Sequence, residues 1–586
     1  VSGLAVGERC GKRLGQPVPT LPQADGEGDV TYGSVIVGAP RGVHAARWVS
    51  GLSLDSRSDT LLYWGGVALV LLGLFVSRLL PCVDYPQHLA LSDVARRLGD
   101  ANAPERRQYE LNVFTYNGLF HLVVARLSIL LPIEVAGRLV LAASLAATAA
   151  AVVALLKASR RPPEYAALFT PVLFSFSAGW GFANYVLATA VAAWALVFVA
   201  RAAIRPRWQP AVAVGALGLM CAFAHVLAMI ILCVLATALA LELGWRHSNG
   251  SAPPGRRIAR AVLRAAVAVV PLAIGCAYCV AVYRRQYPWD PNMYRDPTIE
   301  GSAPPAWQKI VMFGSFALDL FGDATDQVIL FIALGVMAWS AVVAWRQSRS
   351  GRRVPECSSP MLLPLVATTI AYFATPMVLF GTHLIFPRLG QWLVLAAILA
   401  TPRFPPDLAA RGRGYVLRLG VVTGLNFLAH CALFAWETND ASAVIDELPM
   451  GGAATAVIWE PWTLAFRNGT LTHLAAYYAA RKHGQWAFAF ARYLSVPVRF
   501  KPNSQPAWPA RGWEFDAEAY DPRCKYARAF PLVIIKAPDQ VARDASGESV
   551  VRTLVFKKDA AVARLLSHHG KFWAFDTAGL PEDGAL

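Results

Sequence analysis

Eleven stretches of this chain are long and apolar enough to cross a bilayer, and nothing else in the sequence restricts its fold as strongly. A spanning helix needs about 20 mostly apolar residues. Runs of that kind occupy 60–80, 134–156, 164–179, 181–202, 209–225, 226–244, 262–283, 326–345, 360–380, 384–401 and 414–435. In hydrocarbon a backbone must satisfy its own hydrogen bonds, so such runs predict helices. Composition agrees. The chain is 56% hydrophobic and 16% charged, whereas soluble domains carry about 25% charged residues. The predicted fold class is a polytopic α-helical membrane protein of about eleven transmembrane helices, followed by an extracytoplasmic α/β domain.

The formal charge is +16, from 54 Lys and Arg against 38 Asp and Glu. On a soluble protein that excess would suggest nucleic acid. Here it sits in short loops between apolar runs, where it sets topology, so no nucleic-acid partner is expected. Five loops, Lys157–Arg161, Arg201–Arg207, Arg246–Arg264, Arg346–Arg353 and Arg403–Arg418, hold 19 basic residues against the single acid Asp407. The positive-inside rule makes these cytoplasmic. Loops 82–112 and 284–323 each hold four basic and five acidic residues and belong outside. One further apolar segment, 113–131, breaks this alternation if it spans. It is therefore expected to lie in the outer leaflet, where His121 and Arg126 are tolerable. The expected topology has a cytoplasmic amino terminus and a periplasmic or extracellular carboxyl-terminal domain. The Arg- and Ala-rich composition points to a bacterial inner (plasma) membrane.

Three regions result. Residues 1–58 are polar, rich in Gly and Pro and without a secretory apolar core; they are expected to be a disordered or mis-called extension. Residues 59–436 form the transmembrane domain, with a first outer loop at 82–132. Residues 437–586 form the α/β domain. There "AATAVIWE" and "PLVIIKAPD" predict buried strands, and "THLAAYYAARKHG" predicts a helix ending at Gly484. "RTLVFKKDAAVARLLSHHGKFWAF" predicts strand, helix, strand. Neither a GxGxxG nor a P-loop occurs in that region. Cys276 and Cys279 form a CxxC inside an apolar run, where packing explains them; Cys82 and Cys524 face the oxidising side, with no pairing implied by their spacing.

The segment with the most chemistry is "LLPCVDYPQHLALSDVARRLGD", Leu79–Asp100. An apolar run ends and Asp84, Pro86 and His88 follow at once. Together with the outer-leaflet segment "TYNGLFHLVVARLSILLPIEVAGRLV", entered into the next span through Arg138, this resembles the GT-C superfamily of integral membrane glycosyltransferases. The resemblance covers residues 60–435 as architecture and about 60 residues as motif. It implies a donor sugar carried on a polyprenyl phosphate, a membrane-lipid partner, and a catalytic aspartate in the first outer loop, which here is Asp84. The family's second acidic position has three competing matches: Asp93, Glu105 and Glu110.

Glycosyl transfer needs a base for the acceptor proton and positive charge or a metal for the departing phosphate. Asp84 stands at the depth where a lipid-linked head group would lie. It also stands where a helix cap would, with Pro86 in the first turn. His88 is four residues on and shares its helix face; this spacing suits shared metal ligation and equally suits a surface histidine. No cofactor is readable beyond a divalent metal at Asp84 and His88. Arg388 lies one turn inside an apolar run, where an unpartnered charge is expensive, and is the leading phosphate ligand; His383 lies beside it. Arg285 and Arg295, in "RRQYPWDPNMYRDPTIEG", are further candidates that ordinary solvation explains as well. Asn184, in "SAGWGFANY", would suit a sugar, and so would a plain interfacial turn. His225, between two apolar runs, marks an outer hairpin. The adjacent His568 and His569 are poorly placed for metal binding.

The expected function is inverting transfer of a hexosyl or pentosyl group from a polyprenyl-phosphate-linked donor to an acceptor on the outer face. The alternatives are a transporter or flippase, and a catalytically silent assembly partner. Translocation predicts charges within the spans, whereas these polar residues cluster at the outer ends.

Overall fold

The computed structural model describes residues 52–580 apart from 55, 249–252, 287–301, 319, 350–359, 379–381, 494, 507–508, 510–511 and 542. Residues 1–51, including most of the expected extension, lie outside the described residues, as does Arg295. Among the described residues, seven helices are long and apolar enough to cross a membrane: Arg57–Val76, Ile133–Ala158, Ala183–Ile204, Val226–Arg246, Pro254–Gln286, Thr325–Arg349 and Leu408–Glu447. Three shorter apolar helices, Trp208–Ala224, Leu362–Ala374 and Phe386–Ala400, complete the bundle. Apolar side chains point outward as well as inward: Phe331 is 58% and Ile370 63% exposed. A bilayer would cover such faces.

One segment departs from the expected spans, and 113–131 is short, as a segment expected not to cross should be. Residues 164–179 do not form one helix. Pro162, Pro163 and Pro171 withhold backbone donors, and the chain runs as a 3-10 helix, Pro163–Val172, and a short turn, Phe176–Gly179, both buried. The segment 113–131 contains only the helix Leu119–Leu127. At 1.5 Å per residue it is about 14 Å long, too short to span.

The first and last long helices cross through a glycine seam. A Cβ on Gly66 would meet Gly420 O at 2.7 Å, and one on Gly424 would meet Gly66 O at 2.5 Å. Without a hydrophobic drive between helices in lipid, such close approach supplies the packing energy. The last helix, Pro406–Glu447, continues unbroken past Trp436, so the α/β region starts beyond Glu447.

That region holds a five-stranded sheet, ordered β3-β2-β5-β7-β6, built from β2 (Ala453–Ile458), β3 (Gln485–Trp486), β5 (Leu532–Lys536), β6 (Arg564–His569) and β7 (Phe572–Asp576). β2 pairs in parallel with β3 and β5; β7 is antiparallel to β5 and β6. All five residues of β5 are buried. Alternate side chains enter different cores: Leu532 and Ile534 join the core shared with the bundle, Val533 and Ile535 a second core around Trp513 and Trp573. A strand buried on both faces reads as an unbroken apolar run, as "LVII" does. The helix Leu474–Lys482 ends one residue before Gly484, at His483 in a left-handed conformation (φ 54°).

The expected strand, helix, strand over Arg552–Phe575 is instead helix, strand, strand. Glu548–Phe556 is helical and buries Val551, Val555 and Phe556 on one face; β6 and β7 then form a hairpin turning at Gly570, φ 54°. Cys82 and Cys524 are both free thiols.

The loop between the first two spans meets the α/β region directly. β1 (Tyr109–Leu111) pairs antiparallel with β4 (Val498–Phe500), and Arg481 bonds Glu134 at 2.7 Å. These two regions therefore share one end of the bundle. At the other end the basic loops meet one another: Arg264 donates to Ile204 O (2.8 Å), and Arg413 pairs with Asp59 (3.3 Å).

The glycine seam makes a direct prediction. Gly424→Val should cost about 1–3 kcal/mol through overpacking and lower the thermal unfolding midpoint in detergent. Gly65→Val, where a Cβ would meet nothing within 4 Å, should leave the midpoint unchanged.

Candidate functional site

The site is built on the abrupt exit of the first span. Leu80 N–H donates to the Tyr477 hydroxyl (2.8 Å). Val83 N–H and Asp84 N–H donate to Gly179 O (3.1 Å) and Trp180 O (2.9 Å). Gly181 lies against the same backbone with φ 78°; a Cβ there would meet Tyr85 N at 2.4 Å and Asp84 N at 2.8 Å. Only glycine suits both the conformation and the space. The "SAGWGFANY" turn is thus a cradle for Asp84.

Asp84 occupies the N-cap position of the helix Tyr85–Arg97, with Pro86 in its first turn, yet its side chain makes no capping bond. The carboxylate turns instead to His473, whose Nε2 lies 3.2 Å from Asp84 Oδ1. The other ring nitrogen, Nδ1, is 3.0 Å from Glu514 Oε1. The His473 side chain is 3% exposed. Burial alone would lower its pKa, but the charge of Glu514 and the bonds to Asp84 and Glu514 outweigh it and push the group up to about 9. At neutral pH His473 is therefore an imidazolium clamped between two carboxylates. Gln87 lies beside the ring and is held by other partners: its Oε1 accepts from Trp486 Nε1 (2.6 Å) and Phe490 N–H (3.2 Å), and its Nε2 donates to Phe488 O (3.1 Å).

His88, one turn along the same helix, has the opposite character. Its Nδ1 is 3.0 Å from His121 Nε2, and His121 Nδ1 is 2.8 Å from Asn117 O. A carbonyl only accepts, so His121 carries its proton on Nδ1 and presents a lone pair at Nε2. His88 must then donate from Nδ1, which leaves its Nε2 unprotonated. Burial lowers both pKa values, helped at His88 by the neighbouring His121, His225, His473 and Arg388; His121 falls to about 4. Asn184 Oδ1 accepts from Phe120 N–H (3.1 Å), and its Nδ2 lies 3.2 Å from His121 Nδ1.

Arg388 is 5% exposed. Its Nε donates to Leu384 O (3.2 Å), its Nη2 to His383 O (3.1 Å), and its plane lies 3.7 Å from the Phe182 ring centre. Leu384 adopts a left-handed φ of 58° to aim these carbonyls. The remaining nitrogen, Nη1, lies 3.1 Å from His225 Nε2. His225 Nδ1 accepts from Leu227 N–H (3.2 Å), which places the proton of a neutral ring on Nε2. Two N–H groups then lie side by side, and a single anionic oxygen to one side of the pair, within reach of both, satisfies both. Asp84 acts electrostatically on Arg388, and Arg388, His225 and His473 act on His88.

The fold thus brings together Asp84, His88, Asn184 and Arg388. His383 contributes its carbonyl, while its side chain is exposed. Arg285 is exposed and stacks over Phe114 at 5.3 Å, with no contact to the cluster among the described residues. The three competing acids are engaged elsewhere. Asp93, expected on a solvated face, is buried and pairs with Arg96, Arg97 and His483 (2.7–3.0 Å). Glu105 pairs with Arg97 and Glu110 with Arg499. Sequence reasoning missed Gln87, His473 and Glu514. His473 stands at the start of the predicted helix "THLAAYYAARKHG", where nothing local marks it as a partner of Asp84; Glu514 carries no local signal. His473 engages one oxygen of Asp84, and no group of three or more ligating side chains that could hold a metal exists among the described residues.

No family model matches the sequence, and no curated protein matches it. Among solved structures, the chain is similar to ArnT from Cupriavidus metallidurans. The undecaprenyl phosphate-bound structure is 13% identical, covering 92% of this chain and 99% of that one, at a TM-score of 0.44. The apo structure is 14% identical, covering 92% and 100%, also at 0.44.

His473 generates a pH prediction. Its ring titrates near 6.5 in an unfolded chain and at about 9 here. A raised pKa contributes stability that is full below about pH 6.5 and is lost as pH rises through about 9. The thermal midpoint should therefore fall more steeply between about pH 7 and 10 in the native protein than in His473→Gln. Equal slopes would remove the clamp.

Proposed function

We propose that this protein is a membrane glycosyltransferase of the GT-C type. It takes a sugar from a polyprenyl-phosphate-linked donor and passes it to a hydroxyl of a lipid, glycan or protein acceptor on the outer face of a bacterial inner membrane. One observation carries this reading: a carboxylate and a convergent pair of N–H donors share one polar cluster at the ends of apolar helices. A lipid-linked phosphate reaches that depth with its tail still among the helices.

In this reading the free oxygen of Asp84 takes the acceptor proton as the acceptor oxygen bonds the anomeric carbon. The bond from that carbon to the phosphate oxygen breaks, and the phosphate leaves with the electron pair. Arg388 and His225 receive the growing charge, where preorganised donors act most strongly. Displacement from the face opposite the phosphate inverts the anomeric centre. His88 and Asn184 hold sugar hydroxyls, the first through its unprotonated Nε2. His473 and Glu514 fix the direction of Asp84. The α/β region, which supplies both, selects the acceptor.

The test uses purified protein in lipid and a panel of polyprenyl-phosphate sugars. Asp84→Asn should keep donor binding and lose transfer by about a hundredfold or more. Arg388→Lys keeps the charge but not the planar fork, and should weaken donor binding. Wild-type protein that neither binds nor transfers any donor would overturn the reading. An Asp84→Asn variant as active as wild type would remove Asp84 as the base.

A further inference from the structure

A cavity of about 590 Å³ opens where the last long helix meets the carboxyl ends of β2 and β5. It shares no lining residue with the Asp84 cluster. In α/β sheets the carboxyl ends of parallel strands are where ligands bind. β2 and β5 are such a pair, with Ile458 beside Lys536. Lys536, 7% exposed, forms the floor and donates to Glu460 O and to Trp462 O (3.1 Å), fixing the loop after β2.

We infer that this cavity binds a saccharide chain. Two indoles stand uncovered in its walls: Trp436 is 70% exposed, on the helix, and Trp462 is 54% exposed, on the loop. Asn439, Asp440 and Arg543 also line it, and none of their side chains takes a hydrogen bond within the protein among the described residues. Glu437, Asp440, Glu460 and Asp539 outnumber Lys536, Arg543 and Lys571, which disfavours an anion such as a free phosphate or nucleotide. The charged and amide groups among the lining residues disfavour a purely apolar ligand. A polyol satisfies both features: its hydroxyls pair with carboxylates and the amide, and its C–H faces lie on the indoles.

The cavity is joined to the Asp84 cluster by one strap. Glu460–Leu464 forms a wall, Leu471 lines the cavity and donates its N–H to Pro461 O (3.0 Å), and His473, two residues on, clamps Asp84. The saccharide bound here is the glycan of the acceptor, a step that rests on the glycosyl-transfer reading; saccharide binding itself does not.

The experiment places full-length protein in bilayer discs and titrates short linear oligosaccharides of glucose, mannose, galactose and arabinose, reading tryptophan fluorescence and saturation-transfer NMR. A saturable signal is expected with at least one series. Trp462→Ala should weaken it about tenfold or more, Trp462→Phe should retain most of it, and Asp84→Asn should leave it unchanged. No binding by any series would overturn the inference. So would equal binding by Trp462→Ala, or a fluorescence change that follows lipid headgroups and not saccharide. Transfer by wild type without saccharide binding here would overturn the cavity and leave the Asp84 reading standing. Binding without transfer of any donor would support the cavity and sink that reading.

Discussion

One imidazole ring holds the two parts of this molecule together. His473 comes from the α/β region and Asp84 from the end of the first span, and Glu514 closes the ring from the far side. A buried charge is tolerable only when its partners are in place. With either carboxylate missing, one N–H of the buried imidazolium would lose its partner; with the cation missing, two carboxylates would face one another. The contact therefore forms only when bundle, loop and sheet are all correctly folded. Ion pairs and a two-stranded ladder around it, Arg481 with Glu134, His483 with Asp93 and β1 with β4, keep the interface closed at its edges.

The backbone arrangement makes this possible by relieving Asp84 of a structural duty. An aspartate ahead of a proline-initiated helix ordinarily caps it. Here Pro86 removes one of the amides that would need a cap, and Asp84's own N–H is taken by Trp180 O. The side chain is left to bind outside its helix. The cradle for this backbone contains Gly181, and the ring against which Arg388 stacks is Phe182, the next residue. One turn between two buried helices thus sets the height of the carboxylate and of the guanidinium together.

Legibility in the sequence divides along the same line. The long apolar helices, β2, β5 and the short helix Leu119–Leu127 were readable because each depends on local periodicity or length. Arg388 was readable because a charge inside an apolar run is conspicuous. The segment 164–179 was apolar enough to suggest a span, but its prolines break the helix. "RTLVF" was too short to separate strand from helix by apolar content. His473 and Glu514 were not readable, since their roles exist only in relation to a residue about four hundred positions away. The His88–His121 pair was half readable: both residues drew attention, and the bond that fixes their protons did not.

The contrast between the two histidine systems gives the site its charge balance. His473 is cationic between two carboxylates, while burial keeps His88 and His121 neutral. With Arg388 included, the formal charges of the cluster cancel. In the proposed transfer a sugar phosphodiester enters with one negative charge. The proton lost by the acceptor arrives on Asp84 as the leaving phosphate gains its second charge. The sum is unchanged; negative charge has moved from the Asp84 end of the cluster to the Arg388 end. Were His88 also cationic, it would hold that charge near its origin and oppose the step. A neutral His88 beside a charged His473 is thus the arrangement that lets the proton and the phosphate depart in opposite directions.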